Sequence, residues 1–467
     1  MNIITRSIEP MHFDLLHQTI TDPYSPETYK NRINRAVAKA EEHGFSHLVI
    51  YADREHFANL TYFTGFDPRF EEALLILAKG MEPILLVGNE GYSYCTIIPY
   101  QLDVVLYQSF SLMGQERVPT TKNVLTESYE KAGITGASRI GLIGWKYFRD
   151  VEGSDPDYMT DVPHYLVSSL QAIVGKERVL NATSLLINAN DGLRTTVDVD
   201  ELAVLEIAAT KASRGVQNMF LNLEEGMSEI EASYYLQFDG NPLVAHPNVN
   251  FTPKGVLQGT ASPSRHPLTY GSSMNVGFGY RGSMCARTGV YVYDRTDFDK
   301  YYPTSWEAAY VPYFKMTALW YELVRIGNTG KAVVEELLRR VPEFSKLGIG
   351  LNPGHLIHSD EWTNSLFVTH EAIELRSGMA IQCDVIANPP GHPGLHIEDG
   401  LVIADADLRA AFKTKYPNAW KRIERRRKVM KEILGIEIGD QILPLSDIQG
   451  VYYPFGADLS TVMAVER

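Results

Sequence analysis

Residues Gly394–Asp405 read GLHIEDGLVIAD, and the run just before them, Gly378–Pro389, reads GMAIQCDVIANP. Both have the length and apolar, β-branched content of buried strands, yet each is interrupted by charge. Asp384 breaks the first, and His396, Glu398 and Asp399 break the second. Side chains alternate across a strand, so His396 and Glu398 share one face. A carboxylate among apolar neighbours is costly unless it is paired, ligated or used, which marks Asp384 and Glu398 as candidate working groups.

Immediately upstream, Pro353–Trp362 (PGHLIHSDEW) packs glycine, His355, His358, two acids and Trp362 into one short stretch, the density of a site loop. Further out, helical patterns at Ser228–Gln237, Ser305–Ile326 and Lys331–Arg340 mix with strand-like runs at Met274–Tyr280 and Thr288–Tyr293 without strict alternation, which gives an α+β class. A long helix is predicted from Asp198, a capping residue with Glu201 at the capping-box position. Its stripe of Leu202, Leu205, Ala208, Ala209, Ala212, Val216 and Phe220 reads as core.

The first part of the chain has a different rhythm. A helix at Asn31–His43 is followed by apolar strands at Ser46–Asp53, Ala73–Ala78, Pro83–Gly88, Asp103–Gln108 and Arg139–Gly144. Turn chemistry at Lys79–Pro83 makes the central pair a hairpin, so an α/β domain with a mixed sheet is expected. Strand signals stop at Asn188–Gly192, dividing the chain into residues 1–192 and 193–467.

With 467 residues, 45% of them hydrophobic, and 43 basic against 57 acidic side chains for a formal charge of −14, a folded protein is expected whose partner is a small molecule or peptide. The acidic balance argues against nucleic acid or an anionic membrane. The one basic run, Lys421–Lys431, reads as a solvated helix face. Three scattered cysteines fit no disulfide framework, and no apolar run reaches membrane-spanning length; a cytoplasmic protein is expected.

Four motifs in order carry a family resemblance: RTTVDVDELAVLEIAATKASRGV, the His-then-DEW loop, GMAIQCD and GLHIEDGLVI. They are similar to the pita-bread superfamily of creatinase, aminopeptidase P, prolidase and methionine aminopeptidase. Asn59–Phe66 (NLTYFTGF) resembles a segment of the creatinase/prolidase-type N-terminal domain, so the likeness spans roughly residues 30–460. It implies an α/β N-terminal domain, creatinase N-terminal-like, followed by an α+β pita-bread catalytic domain.

Metallopeptidases of that superfamily hold two metal ions with two hairpin Asp, one His and two later acids. In MNVGFGYRGSMCART (Met274–Thr288) the hairpin positions correspond to Asn275 and to Ala286 or, with a short gap, Cys285, the His to His355 with His358 as substitute, and the later acids to Asp384 and Glu398. Neither hairpin residue brings a carboxylate, which divalent cations of this kind need. Creatinase resembles the chain in this respect and works without metal. The resemblance therefore implies no cofactor, with one divalent ion at His355, Asp384 and Glu398 as the alternative.

His246, His266, His355, His358 and His396 are the candidate acid/base groups beside Asp384 and Glu398. Arg287 and Arg69 can grip a carboxylate, and Asn275, His358 and Trp362 complete the candidate pocket. In creatinase-like dimers an N-terminal Arg and aromatic reach the partner's pocket, and Arg69-Phe70 match them best, so a homodimer is expected. The expected activity is creatinase-like hydrolysis of a C–N bond in a small polar substrate. The alternatives are a one-ion Xaa-Pro peptidase, a lyase on a small zwitterion, and an inactive binding homologue.

Overall fold

The computed structural model describes residues 1–14, 16–18, 24–117, 123–252 and 259–467. They form two compact units, Asp22–Arg194 on one hand and Met1–Thr21 with Thr195–Arg467 on the other.

The Asp22–Arg194 unit is built on a six-stranded sheet in the order Asp103–Leu106, Ile84–Val87, Ala73–Ala78, His47–Ala52, Ile140–Ile143, Val179–Asn181. Ala73–Ala78 is antiparallel to both neighbours and the outer pairs are parallel, so the sheet is mixed, as the Lys79–Pro83 turn implies. Alternate residues feed two cores. Leu48, Ile50, Leu75, Leu77 and Leu85 pack on one face, and Val49, Leu74, Ile76, Leu86 and Leu142 on the other. Both faces are covered, which is why these strands read as unbroken apolar runs. Helix Pro26–Glu42 opens with Ser25 accepting the Thr28 N–H and lays Ala36 and Ala40 on the first core.

The second unit carries the strands that bear the site. We label them β1 (Asn248–Thr252), β2 (Ser273–Phe278), β3 (Cys285–Val290), β4 (His355–Leu356), β5 (Ala380–Ala387), β6 (Leu395–Ile403) and β7 (Ile442–Pro444). The order is β4-β5-β6-β3-β2-β1, with β7 also on β6, and every pairing is antiparallel. Helix α1 (Val199–Leu221) starts at the Asp198–Glu201 capping box and buries the predicted stripe. It lies so close to its surroundings that a Cβ on Gly215 would stand 2.4 Å from the Leu236 carbonyl oxygen.

Two expectations change here. Asn2–Ser7 pairs antiparallel with Thr461–Glu466, so the first residues belong with the Thr195–Arg467 unit and not with a 1–192 domain. The basic run is a solvated face only in part: Lys421, Arg425, Lys428 and Lys431 are exposed, while helix Pro417–Lys428 turns Arg426 inward onto Glu206 (2.6 Å) and Asp447 (2.8 Å). Cys95, Cys285 and Cys383 are buried free thiols. Among the described residues no helix is long and apolar enough to cross a membrane.

Candidate active site and metal centre

Sheet register assembles the site. Asn250 pairs with Asn275, Asn275 with Thr288, Ala286 with Glu398, Glu398 with Asp384, and Gln382 with His355. Directly paired residues point to the same side of a sheet, and so do residues two apart on one strand. One face therefore carries Asn275, Ala286, His396, Glu398, Asp384, Gln382 and His355. Arg287, Asp399 and Cys383 are on the other.

β4 is only two residues long, and its approach needs Gly354, whose φ is +109° and where a Cβ would meet the Gln382 carbonyl oxygen at 2.7 Å. After His355 the chain turns back on itself. The Leu356 N–H donates to the Asn364 carbonyl (2.7 Å) and the Thr363 N–H to that of Leu356 (2.9 Å). This turn returns Glu361 to within 3.0 Å of His355 Nε2 and stacks Trp362 on the imidazole, with centroids 4.2 Å apart and planes at 15°.

His355 is fully buried, and its Nδ1–H donates to the Leu356 carbonyl (3.1 Å), which leaves Nε2 facing inward. That Nε2 has Glu361 Oε1 at 3.0 Å and Asp384 Oδ2 at 3.7 Å but no aligned hydrogen-bond partner. His396 Nε2–H donates to Asp384 Oδ1 at 2.7 Å and lies 3.7 Å from Glu398 Oε2. The Gln382 amide donates to the Met284 carbonyl (2.9 Å) and to Glu398 Oε1 (3.4 Å), holding that carboxylate from the far side.

Burial and neighbouring charge pull these groups apart. Glu398 is pushed well above the usual carboxylate range by burial and then by the charges of Asp384, Glu361 and Asp399. Burial would raise Asp384 too, but the hydrogen bond and charge of His396, with His355 beyond, bring it below its ordinary value. His355 is raised: burial opposes its charged form, and the Glu361 and Asp384 carboxylates outweigh burial.

The expectation of a site without a cofactor is corrected by this arrangement. His355, Glu361, Asp384 and Glu398 each offer a ligand atom, all within 4.8 Å of one another, so an imidazole and three carboxylates converge as the donor set of a divalent cation does. Glu361 went unassigned in the sequence; its trace there was the acid density of the HSDEW stretch. Gln382 left no trace beyond its place in an apolar strand.

The other candidates scatter. Asn275 lies on the working face, its amide 3.4 Å from Asn248 Oδ1. His246 is exposed, with Nε2 2.8 Å from Ser262 Oγ. His358 is not a substitute ligand, because its Nε2 sits 3.2 Å from Glu201 Oε1 at the start of α1. Arg287 is not a substrate grip. It is buried on the opposite face, bonded to Asp399 (2.6 Å) and to the carbonyls of Val451, Ala286, Glu398 and Ile448. Burial opposes its charge, and Asp399 more than offsets that. In the Asp22–Arg194 unit, Arg69 donates to the Tyr94 hydroxyl (2.6 Å) and Phe70 is 56% exposed.

Strand order and the acidic face describe an α/β unit with a mixed sheet and an α+β unit whose antiparallel sheet bears the site. No protein-family model and no curated protein matches the chain. Solved structures do. A dipeptidase PepE from Mycobacterium ulcerans is similar over 82% of this chain and 94% of its own, at 18% identity and a TM-score of 0.60. A prolidase from Pyrococcus horikoshii OT3 (80% and 95%, 15% identity, TM-score 0.59) and an X-Pro aminopeptidase from Thermotoga maritima MSB8 (80% and 95%, 15%, 0.60) are comparably similar. At such identity the likeness is one of fold.

Proposed function

We propose that the protein hydrolyses a C–N bond in a small polar substrate, a dipeptide or a comparable amide, with one divalent cation on the His355–Asp384–Glu398 face. The convergence of those side chains with His396 carries the reading, because nothing in a purely structural sheet requires an imidazole pair and buried carboxylates to meet. The solved neighbours, titled as prolidase, dipeptidase and X-Pro aminopeptidase, support it from the side of the fold. A bound cation of this type polarises a carbonyl oxygen and acidifies water.

The chain's own residues do the rest. A water oxygen bonds to the carbonyl carbon and gives a proton to the Asp384–His396 pair, the C–N bond breaks, and the pair returns that proton to the leaving nitrogen. His396 holds a proton on Nε2 against Asp384, the atom from which it passes to that nitrogen. Gln382 keeps Glu398 aimed at the same point. The stacked His355–Trp362 pair walls one side and excludes water.

The test is amine release from a panel of Xaa-Pro dipeptides, other dipeptides and small amides, using protein loaded with Mn²⁺ or Zn²⁺. Cation-dependent release from at least one class is expected. No turnover of any class by protein shown to hold the cation would defeat the reading.

A further inference from the structure

We infer that Glu361 is the ligand with which this chain makes good the carboxylates missing from the β2–β3 hairpin, so that His355, Glu361, Asp384 and Glu398 bind a single divalent first-row cation such as Mn²⁺ or Zn²⁺. This rests on the proposed hydrolase reading only for its purpose.

Among the described residues, the hairpin end of the face offers no anion. Ala286 has no ligand atom, and the Asn275 amide nitrogen is turned to Asn248 Oδ1 (3.4 Å) and the Gly259 carbonyl (3.5 Å). At the opposite end, the Leu356–Asn364 turn brings in a carboxylate that no strand supplies. Glu361 Oε1 comes within 3.0 Å of a buried imidazole nitrogen, while its side chain stays 31% exposed at the mouth of the site.

A cluster of acids alone would mean little, and the second observation is His355. Its Nδ1–H is committed to the Leu356 carbonyl, so Nε2 turns into the cluster, fully buried and without an aligned hydrogen-bond partner. Metal-binding histidines are oriented in this way by a bond from the other ring nitrogen. Among the described residues no lysine or arginine pairs with the carboxylate of Glu361, Asp384 or Glu398; their ionic contacts are to histidines. Three carboxylates and one imidazole make a mixed oxygen and nitrogen set suited to a borderline divalent ion. Ligand bonds of about 2.1 Å place donors about 3 to 4 Å apart, and the four ligand atoms lie within 4.8 Å of one another, with His355 Nε2 at 3.0 Å from Glu361 and 3.7 Å from Asp384.

Calorimetric titration of chelator-treated full-length protein with Mn²⁺, alongside Mn²⁺ electron paramagnetic resonance, tests this. One equivalent is expected to bind. Glu361→Gln should weaken Mn²⁺ at least tenfold with an unchanged circular dichroism spectrum, Glu361→Asp should fall between, and Asn275→Ala should stay within about twofold of the parent. Should Glu361→Gln be poorly folded, Glu361→Asp and Asn275→Ala carry the comparison. Unaltered binding in the Glu361 variants, an equal loss in Asn275→Ala, or no binding by the parent overturns the inference. Tight binding that depends on Glu361 without any hydrolysis would sustain it and defeat the hydrolase reading instead.

Discussion

At the scale of single residues, the site separates holding charge from moving a proton. His396 touches Asp384 through Nε2, while its backbone N–H is pinned by Thr288 Oγ1 at 2.8 Å, so the ring has little freedom to leave the face. Replacing it with glutamine keeps a hydrogen-bond donor toward Asp384 but removes the proton carrier. His396→Gln is expected to lower kcat by about 10²- to 10⁴-fold while leaving KM and Mn²⁺ affinity within a few-fold, as steady-state kinetics and calorimetry would show. Equal losses in affinity and kcat would make His396 a ligand and not the acid. Period-two alternation sufficed to put His396 and Glu398 on one face from sequence, and it also sets Arg287 opposite its neighbour Ala286. Glu361 was not legible, because its place depends on a turn that closes through backbone bonds between Leu356 and Asn364, and no periodicity records such a return.

Whole elements are fixed by a buried ionic network. Asp447 accepts from Arg214 (2.6 Å), Arg425 (2.6 Å) and Arg426 (2.8 Å), and Glu206 on α1 accepts from Arg426 and Arg422. Burial would raise Asp447, yet the three guanidinium groups outweigh it and hold its carboxyl far below the usual range. A depressed folded-state pKa stabilises at pH above the unfolded value, about 3.9, and that stability is lost as pH falls from there toward the folded value. Thermal unfolding from pH 6 down to pH 2.5 should therefore show a steep loss below about pH 4. Asp447→Asn should flatten that slope and cost about 3–5 kcal/mol at pH 7, since it leaves Arg426 buried with half its countercharge. A variant with the parent's acid profile would remove Asp447 from this role. Sequence alone missed the inward turn of this helix's Arg426 for a physical reason. Its buried positions Ile423, Arg426 and Met430 keep helical spacing, but the carboxylates that neutralise Arg426 come from distant segments.

At the scale of the whole molecule, the mixed sheet of the Asp22–Arg194 unit was legible, since it rests on local alternation and turn chemistry, whereas the antiparallel order of the site-bearing sheet was not. The pairing of Asn2–Ser7 with Thr461–Glu466 was not, because it joins segments from opposite ends of the chain. The Asp22–Arg194 unit holds Arg69 and Phe70 in an unusual pose. Arg69 has φ +58°, a left-handed conformation that costs of order 1–3 kcal/mol for a residue other than glycine, and its guanidinium lies 5.0 Å above the Tyr94 ring. Next to it Phe70 presents a large apolar ring to solvent. An aromatic and an arginine displayed together are the side chains enriched at interface hot spots, and a second copy of the chain is the partner tested for this patch. A two-fold assembly would use the patch twice. Sedimentation equilibrium at micromolar protein is expected to give twice 52.4 kDa. Phe70→Ala should shift the assembly toward monomer, and Arg69→Ala should raise KM with the dimer intact. An active monomer, or unchanged kinetics in both variants, would leave the strained Arg69 as a local feature of its loop.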